Sequence, residues 1–300
     1  MCVAPGSPLP PFKPPPMFST TIISTEELAA QLGNPNWIVI DCRFTLTDTE
    51  AGRRFYEKSH IPGARYAHLD EDLSSPITSN SGRHPLPDLA LFCARLGEWG
   101  ITPDTQVVVY DDSFGSMAVR LWWLLRGLGH QHVALLNGGL PKWTREKRPL
   151  TDALPTIVVQ PYPCPASPNL GVDAATVETI RLDPNYKLID ARPEQRFSGE
   201  VEKLDTVAGH IPGAINWVFE ENLDMDGTYL TADELRESYD QLLNGVAAEN
   251  VVHTCGSGVT ACHNLLAMEI AGLAGSKLYP GSWSEWIRDP ARPVATFNAA

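Results

Sequence analysis

One cysteine in the second half of the chain has the surroundings that nucleophilic sulfur chemistry requires. Cys255 follows a short run of β-forming residues, and the turn Gly256-Ser257-Gly258 leads from it into an apolar, helix-like segment over 261–271. The thiol is thus predicted at the carboxyl end of a strand and the start of a helix, where backbone N–H groups and the helix dipole favour negative charge. We expect the loop to stabilise a thiolate, a persulfide or a bound anion. The alternative is an inert core cysteine, since free cysteines are often buried.

The composition is that of a folded protein with an acidic surface. The chain has 300 residues, of which 43% are hydrophobic and 20% charged, enough for two domains with apolar cores. The net charge of −13 argues against nucleic acid and anionic membranes as partners. No apolar run reaches the length of a membrane span, and no metal, nucleotide or flavin motif occurs, so no cofactor is expected.

The six cysteines are scattered and form no C-x-x-C pair. This pattern argues against a zinc site or a thioredoxin-type redox pair, and it indicates a reducing compartment. We therefore predict a cytoplasmic protein. Residues 1–18 are rich in proline and lack the apolar core of a signal peptide, so they are predicted to be a disordered leader.

The rest of the chain is a repeat of one αβ unit. The turn His60-Ile61-Pro62-Gly63-Ala64 recurs at 210–214, and the strand end Asp41-Cys42-Arg43 recurs as Asp190-Ala191-Arg192. A proline-rich linker, residues 149–170, separates a first domain over 19–148 from a second domain over 171–300. Alternating strands and helices predict an α/β fold, with a mostly parallel sheet and helices on both faces in each domain. Ligands of such sheets bind at the carboxyl ends of the strands.

The repeat also predicts which domain is catalytic. Residues 112–143 superpose on 255–286 without a gap, so Asp112 is expected to stand where the second domain has Cys255. An aspartate cannot act as a thiolate nucleophile. We therefore expect chemistry in the second domain, with the first serving as a scaffold beside it.

The two His-Ile-Pro-Gly-Ala turns, the Asp-x-Arg strand ends and the cysteine loop resemble the two-domain rhodanese sulfurtransferases over about residues 20–290. The loop from Cys255 to Ala261 and the segment from Gly281 to Trp286 are similar to those of 3-mercaptopyruvate sulfurtransferases. The resemblance implies two tandem rhodanese-like domains. It also implies that Cys255 takes sulfur from 3-mercaptopyruvate, releases pyruvate, and passes the sulfur from a persulfide to a thiol acceptor or to cyanide. Thioredoxin or a low-molecular-weight thiol would be such an acceptor.

The resemblance also assigns roles around the sulfur. Ser257 and His60 match a serine and a histidine that relay protons, and Asp48, with Glu50 next, is the candidate for the relay's aspartate. A structural role for His60, tying its turn to a neighbouring strand, remains open beside this one. The loop N–H groups are expected to contact substrate and persulfide; their residues are Gly256, Gly258, Val259 and Thr260.

Binding of the donor carboxylate is expected from two basic side chains. Arg196, in the segment Glu194-Gln195-Arg196-Phe197, matches the family's carboxylate-binding arginine. The family's second such arginine is missing, and Lys203 is the candidate replacement, although an ammonium lacks bidentate geometry.

Three other functions compete with this interpretation. A phosphatase would need an arginine at position 261, where this chain has Ala261. A thiosulfate:cyanide sulfurtransferase would have basic residues directly after the cysteine, where Gly256 and Ser257 stand. A non-enzymatic rhodanese-like binding or regulatory module would lack the cysteine in both domains.

Overall fold

The computed structural model describes residues 18–297 and contains two parallel β-sheets, one in each half of the chain. Apart from Phe18, the predicted leader lies outside the described residues. The first sheet consists of β1 (Ile22–Ile23), β2 (Trp37–Asp41), β3 (Arg65–Tyr66), β4 (Gln106–Tyr110) and β5 (Val133–Leu136). The second consists of β6 (Lys187–Asp190), β7 (Ala214–Asn216), β8 (Val251–Thr254) and β9 (Lys277–Leu278).

The strand orders are β1-β5-β4-β2-β3 and β7-β6-β8-β9, and every pairing within them is parallel. This confirms the predicted α/β fold with two parallel sheets. The strands that precede the two loops of interest, β4 and β8, lie inside their sheets and are buried along their whole length. Such strands read as continuous apolar runs because helices cover both faces of a parallel sheet.

Helices connect the strands within each domain. In the first domain they are α1 (Thr25–Gln31), α2 (Ala51–Lys58), α3 (Leu89–Glu98), α4 (Val119–Gly127) and α5 (Gly139–Arg145). In the second they are α6 (Ala174–Ile180), α7 (Glu194–Ser198), α8 (Ala232–Leu243), α9 (Ala261–Ile270) and α10 (Ser282–Trp286), with short 3₁₀ turns at Phe219–Asn222 and Ala248–Asn250. In the part of the chain that the structure describes, no helix has the length and apolarity to cross a membrane.

The largest apolar core lies between the two sheets and includes side chains from both domains. Helices α4 and α9 pack against each other there, and Trp122 and Trp123 of α4 are buried in this core. Each sheet has a smaller core on its other face; Trp283 and Trp286 belong to that of the second domain. Because α4 and α9 follow directly after the loops of interest, both loops lie at the domain interface.

Ion pairs at the two equivalent strand ends fix the repeated turns. Arg43 binds the Asp41 carboxylate and donates to the backbone oxygen of Ser59 at 2.7 Å. Arg192 binds Asp190 and donates to the oxygen of Gly209 at 2.8 Å. In both domains the arginine thus joins the end of one strand to the turn that precedes the next, which is a structural role.

The predicted linker is attached to the first domain by a disulfide between Cys164 and Cys93 of α3, whose Cα atoms are 5.6 Å apart. Cys42, Cys255 and Cys262 are free and buried. A structural disulfide is unusual in a reducing compartment. The cysteine pattern alone did not indicate this pairing, because 71 residues separate the two partners.

Candidate active site

Cys255 lies directly after β8, at the bottom of a cavity of about 100 Å³ between the two domains. The cavity is mostly apolar, with a few basic and hydroxyl groups. Its lining residues are Leu46, Leu69, Arg83, His84, Met117, Ala191, Arg192, Pro193, Arg196, Leu204, Phe219, Cys255, Gly256, Ser257, Val259 and Thr260. The cysteine is thus buried in the protein but lines a small cavity.

The loop after Cys255 leaves its backbone N–H groups without partners. Within the described residues, the N–H groups of 256–260 donate to no oxygen. Gly258 has φ 73°, and a side chain there would meet the oxygen of Pro280 at 2.2 Å, so the turn requires glycine. The N–H group of Cys255 itself donates to Ser282 at 3.1 Å. Unpaired N–H groups in a tight turn form an anion-binding site.

The strand register corrects the predicted alignment of the two loops. Asp41 pairs with Tyr110 in the first sheet, and the equivalent Asp190 pairs with Thr254 in the second. The residue after Tyr110 is Asp111, so Asp111, and not Asp112, corresponds to Cys255. The ungapped superposition was off by one because the stretch from the strand end to the matching glycines, Gly129 and Gly272, is one residue longer in the first domain, and sequence matching aligned the helices rather than the strands.

Asp111 shows what such a loop binds. Its Oδ1 accepts from the N–H groups of Ser113 and Gly115 at 2.9 and 2.8 Å, and its Oδ2 accepts from those of Met117 and Ala118 at 2.8 Å each. The first domain therefore fills its own loop with a buried carboxylate. The second domain has the same kind of loop with a sulfur atom in place of that carboxylate.

We expect Asp111→Asn to lower the free energy of unfolding by about 2–4 kcal/mol. The amide nitrogen of asparagine cannot accept a hydrogen bond, so the two N–H groups that face it would lose their acceptor. Chemical denaturation followed by tryptophan fluorescence would measure the change. Asp112→Asn is the matched control, since Asp112 is exposed, and we expect a change below about 0.5 kcal/mol. Equal effects of the two variants would contradict the revised alignment.

A histidine of the first domain contacts the Cys255 loop. Nδ1 of His84 is 2.7 Å from Oγ of Ser257, and its Nε2 is 3.3 Å from Oδ1 of Asp70. Since a carboxylate only accepts, the neutral ring donates from Nε2 to Asp70 and accepts the Ser257 hydroxyl at Nδ1. Burial lowers the pKa of His84, and Asp70 opposes this shift. The three side chains thus form a proton path that ends beside Cys255.

The structure does not bring His60 to the cavity. The ring is fully buried, and its nitrogens lie 2.7 Å from the oxygen of Tyr56 and 3.2 Å from that of Ala153. His210 is held in the same way, with Nδ1 2.7 Å from the oxygen of Phe197. His60 precedes β3, whereas ligands bind beyond the carboxyl ends of the strands. The geometry supports a structural role for His60, and the histidine that lines the cavity is His84.

Asp48 is likewise outside the cavity. It is exposed and pairs with Arg54 at 2.5 Å, and the second candidate, Glu50, pairs with Arg53 at 3.2 Å. Both precede α2. The aspartate that contacts the cavity histidine is Asp70, in the loop after β3.

Sequence reasoning missed His84 and Asp70 because both lie in a long connection, residues 67–88, that has no counterpart of similar length in the repeat. The relay histidine of the family was matched to the His-Ile-Pro-Gly-Ala turn instead. The length of this connection is a usable signal, because long loops without secondary structure are often functional. Its start at the carboxyl end of β3 also places it at the ligand-binding edge of the sheet.

Two arginines of the cavity lining, Arg83 and Arg196, pair with buried carboxylates outside that lining. Arg196 binds Glu202 through Nε and Nη2, and its Nη2 also donates to Asp205 at 2.9 Å. Arg83, from the first domain, forms an ion pair with the same Asp205. Burial acts to raise the pKa of Glu202, but the hydrogen bonds from Arg196 act against it and the pKa is lowered. The pKa of Asp205 is raised by burial.

Arg83 and Arg196 point at one spot beside the cysteine. A Cβ atom added to Gly256 would lie 2.7 Å from Nη2 of Arg83 and 3.5 Å from Nη1 of Arg196. Lys203, predicted as the second basic group, is exposed and outside the cavity lining. The short segment around it turns Glu202 inward instead, so the second basic group beside the cysteine is Arg83, contributed by the other domain.

Sulfur uptake should depend on pH through His84. Its neutral form must accept the Ser257 proton, and burial puts its pKa below the ordinary value of 6.5. We expect single-turnover uptake to stay constant down to about pH 6.5 and to fall at lower pH. In Asp70→Asn the loss should begin at still lower pH, because Asp70 raises the pKa of His84. If uptake in Asp70→Asn began to fall at a higher pH than in the wild type, the assignment of the pH dependence to His84 would be contradicted.

Comparison with known proteins places the chain in a family. The profile of the rhodanese-like domain matches residues 24–146 and 173–289. A probable 3-mercaptopyruvate sulfurtransferase of Pseudomonas aeruginosa is 46% identical over 282 residues, 93% of this chain and 99% of that protein. A putative thiosulfate sulfurtransferase of Mycobacterium tuberculosis is 37% identical over 286 residues, 93% of this chain and 98% of that protein.

Solved structures agree with this assignment. The 3-mercaptopyruvate sulfurtransferase from Leishmania major superposes with a TM-score of 0.78 and 29% identity, covering 89% of this chain and 74% of that one. The chain therefore belongs to the rhodanese family and contains two rhodanese-like domains. The relatives are sulfurtransferases, but their names divide between two sulfur donors.

Proposed function

We propose that this protein is a 3-mercaptopyruvate sulfurtransferase with Cys255 as the sulfur carrier. The observation that carries the proposal is the chain of Ser257, His84 and Asp70 beside the cysteine. Transfer from 3-mercaptopyruvate releases an enolate that must gain a proton, whereas transfer from thiosulfate releases sulfite and needs none. A proton path at the sulfur favours the first donor.

The reaction balances without a cofactor. The Cys255 thiolate attacks the sulfur of the donor, the carbon–sulfur bond breaks, and its electron pair forms the enolate of pyruvate. The proton of the donor's thiol passes through Ser257 and His84 to the methylene carbon. The negative charge ends on the outer sulfur of the persulfide, where the N–H groups of residues 256–260 stabilise it. Attack by a thiol acceptor then restores the thiolate.

Thiosulfate is the second candidate donor, because the Mycobacterium tuberculosis relative carries that name. Intact mass after mixing the protein with each donor separates the two. We expect a gain of one sulfur, about 32 Da, with 3-mercaptopyruvate and a much slower gain with thiosulfate. A gain mainly with thiosulfate would reverse the donor assignment, and no gain with either would favour a binding module.

The carboxylate of the donor is proposed to bind between Arg196 and Arg83. We expect Arg83→Met to raise KM for 3-mercaptopyruvate about 10–100-fold with a smaller change in kcat, because a charged hydrogen bond to the bound donor is lost. Steady-state pyruvate formation would measure both constants. Lys203→Met is the matched control and should leave KM unchanged. A larger effect of Lys203→Met would restore the binding role predicted from the sequence.

A thiol acceptor, thioredoxin or a low-molecular-weight thiol, is proposed for the second half-reaction, since the cavity admits a small thiol. We also propose a cytoplasmic location, on the basis of the scattered cysteines, against which the disulfide between Cys93 and Cys164 stands as the opposing observation. Blocking thiols in intact cells before mass analysis would test this. Cys93 and Cys164 should both be alkylated in a reducing compartment, whereas a disulfide between them would point to an oxidising one.

A further inference from the structure

A buried arginine of the first domain contacts the catalytic loop from behind. Arg120, on α4, is fully enclosed. Its Nη1 donates to the backbone oxygen of Gly258 at 2.9 Å, and its Nη2 donates to the backbone oxygen of His84 at 3.2 Å. One guanidinium therefore joins the cysteine loop to the segment that carries the relay histidine.

Arg120 differs from the other arginines around Cys255 because it has no acidic partner. Among the described residues no carboxylate lies within 4.0 Å of it, and its Nε donates to nothing. Three other arginines lie around the cysteine, and each has an acidic partner. Arg83 and Arg196 pair with Asp205, and Arg192 pairs with Asp190. The remaining titratable groups there are His84 and Cys262. A buried cation without a counter-ion is costly, and an anion placed near it recovers part of that cost.

Burial lowers the pKa of the Arg120 guanidinium, and the charges of Cys262 and Cys255 act in the opposite direction. Burial also raises the pKa of Cys262, which keeps that thiol neutral. Of these two cysteines, Cys255 is the one in the cavity, and Arg120 contacts its loop directly through the backbone oxygen of Gly258.

The repeat provides an internal comparison. The residue of α9 that corresponds to Arg120 is His263, whose Nε2 lies 3.3 Å from the backbone oxygen of Phe114 in the first loop. Burial lowers the pKa of His263 to about 3, so it is neutral. The first loop, whose N–H groups bind the Asp111 side chain, is thus contacted by a neutral ring. The catalytic loop, which lacks a carboxylate, is contacted by a permanent cation.

We propose that Arg120 is a positioning residue for sulfur transfer. It holds the Cys255 loop and the His84 segment together across the domain interface, and it supplies the fixed positive charge for the thiolate and the persulfide. The second domain therefore depends on the first for charge as well as for the proton path.

The test compares wild type, Arg120→Gln and the control Arg126→Gln, which removes a partly exposed arginine from the same helix. Iodoacetamide alkylation of Cys255, followed by peptide mass from pH 5 to 10, requires no sulfur donor. It therefore remains informative if the proposed function fails. We expect Arg120→Gln to react at least tenfold more slowly at pH 7 and to have its alkylation midpoint at higher pH. Arg126→Gln should match wild type.

A folded Arg120→Gln protein with the wild-type alkylation profile would overturn the proposal. Arg120→Lys decides the question if the Gln variant does not fold, because it keeps a cationic donor but cannot span both carbonyl oxygens. We expect Arg120→Lys to take up sulfur from 3-mercaptopyruvate at least tenfold more slowly than the wild type. Its alkylation midpoint should lie between those of the wild type and Arg120→Gln. Wild-type values for both uptake and alkylation in Arg120→Lys would also overturn it.

Discussion

Cys255→Ser should take up no sulfur from 3-mercaptopyruvate, and pyruvate release should fall to the background rate. The serine hydroxyl is not ionised near neutral pH and cannot carry a persulfide. Intact mass would show the wild type gaining about 32 Da and the variant gaining nothing. Cys262, also free and buried, is the matched control position, and Cys262→Ser should still gain the sulfur.

Cys255→Asp extends this prediction through the repeat. Its carboxylate would stand where Asp111 stands in the first domain and would accept from the N–H groups of the catalytic loop, with Arg120 behind it. We expect an inactive protein that is more stable than Cys255→Ser by about 1–3 kcal/mol, as hydrogen bonds to a charged acceptor would give. Denaturant unfolding of the two variants would measure this. A less stable Asp variant would contradict the view of the loop as an anion site.

His84→Asn should slow sulfur uptake from 3-mercaptopyruvate by about 10²–10⁴-fold, the range that general acid–base groups contribute. The amide cannot take the proton from Ser257 and return it to the enolate, although it fills a similar space. Rapid-quench mass analysis of a single turnover would give the rate, and circular dichroism would confirm the fold.

His60→Asn is the control that separates the two histidines. We expect it to lower stability by about 1–3 kcal/mol, because a buried ring loses its bonds to backbone oxygens. The folded fraction should nevertheless take up sulfur at the wild-type rate. If uptake fell in His60→Asn and not in His84→Asn, the proton path described above would be wrong.

The sequence alone was sufficient for the fold and for the position of Cys255 between β8 and α9, because both depend on local patterns. Apolar runs that end in glycine turns defined β4, β8 and the helices after them. The repeated Asp-x-Arg ends revealed the duplication, and the turn after Cys255 indicated an anion-binding loop. Each of these signals involves residues that are neighbours in the chain, where backbone geometry and residue type are directly linked.

Tertiary structure decided everything that involves the meeting of the two domains. His84, Arg83 and Arg120 come from the first domain and meet the Cys255 loop where the two domains pack together, with Asp70 behind His84. The family resemblance, carried onto the sequence, placed the relay at His60 and the second basic group at Lys203, because sequence alone does not show which residues meet in space. Sequence matching of the repeat also aligned Asp112 with Cys255, because a one-residue insertion is visible only in the strand register. Contacts between distant segments depend on packing, which local pattern does not encode.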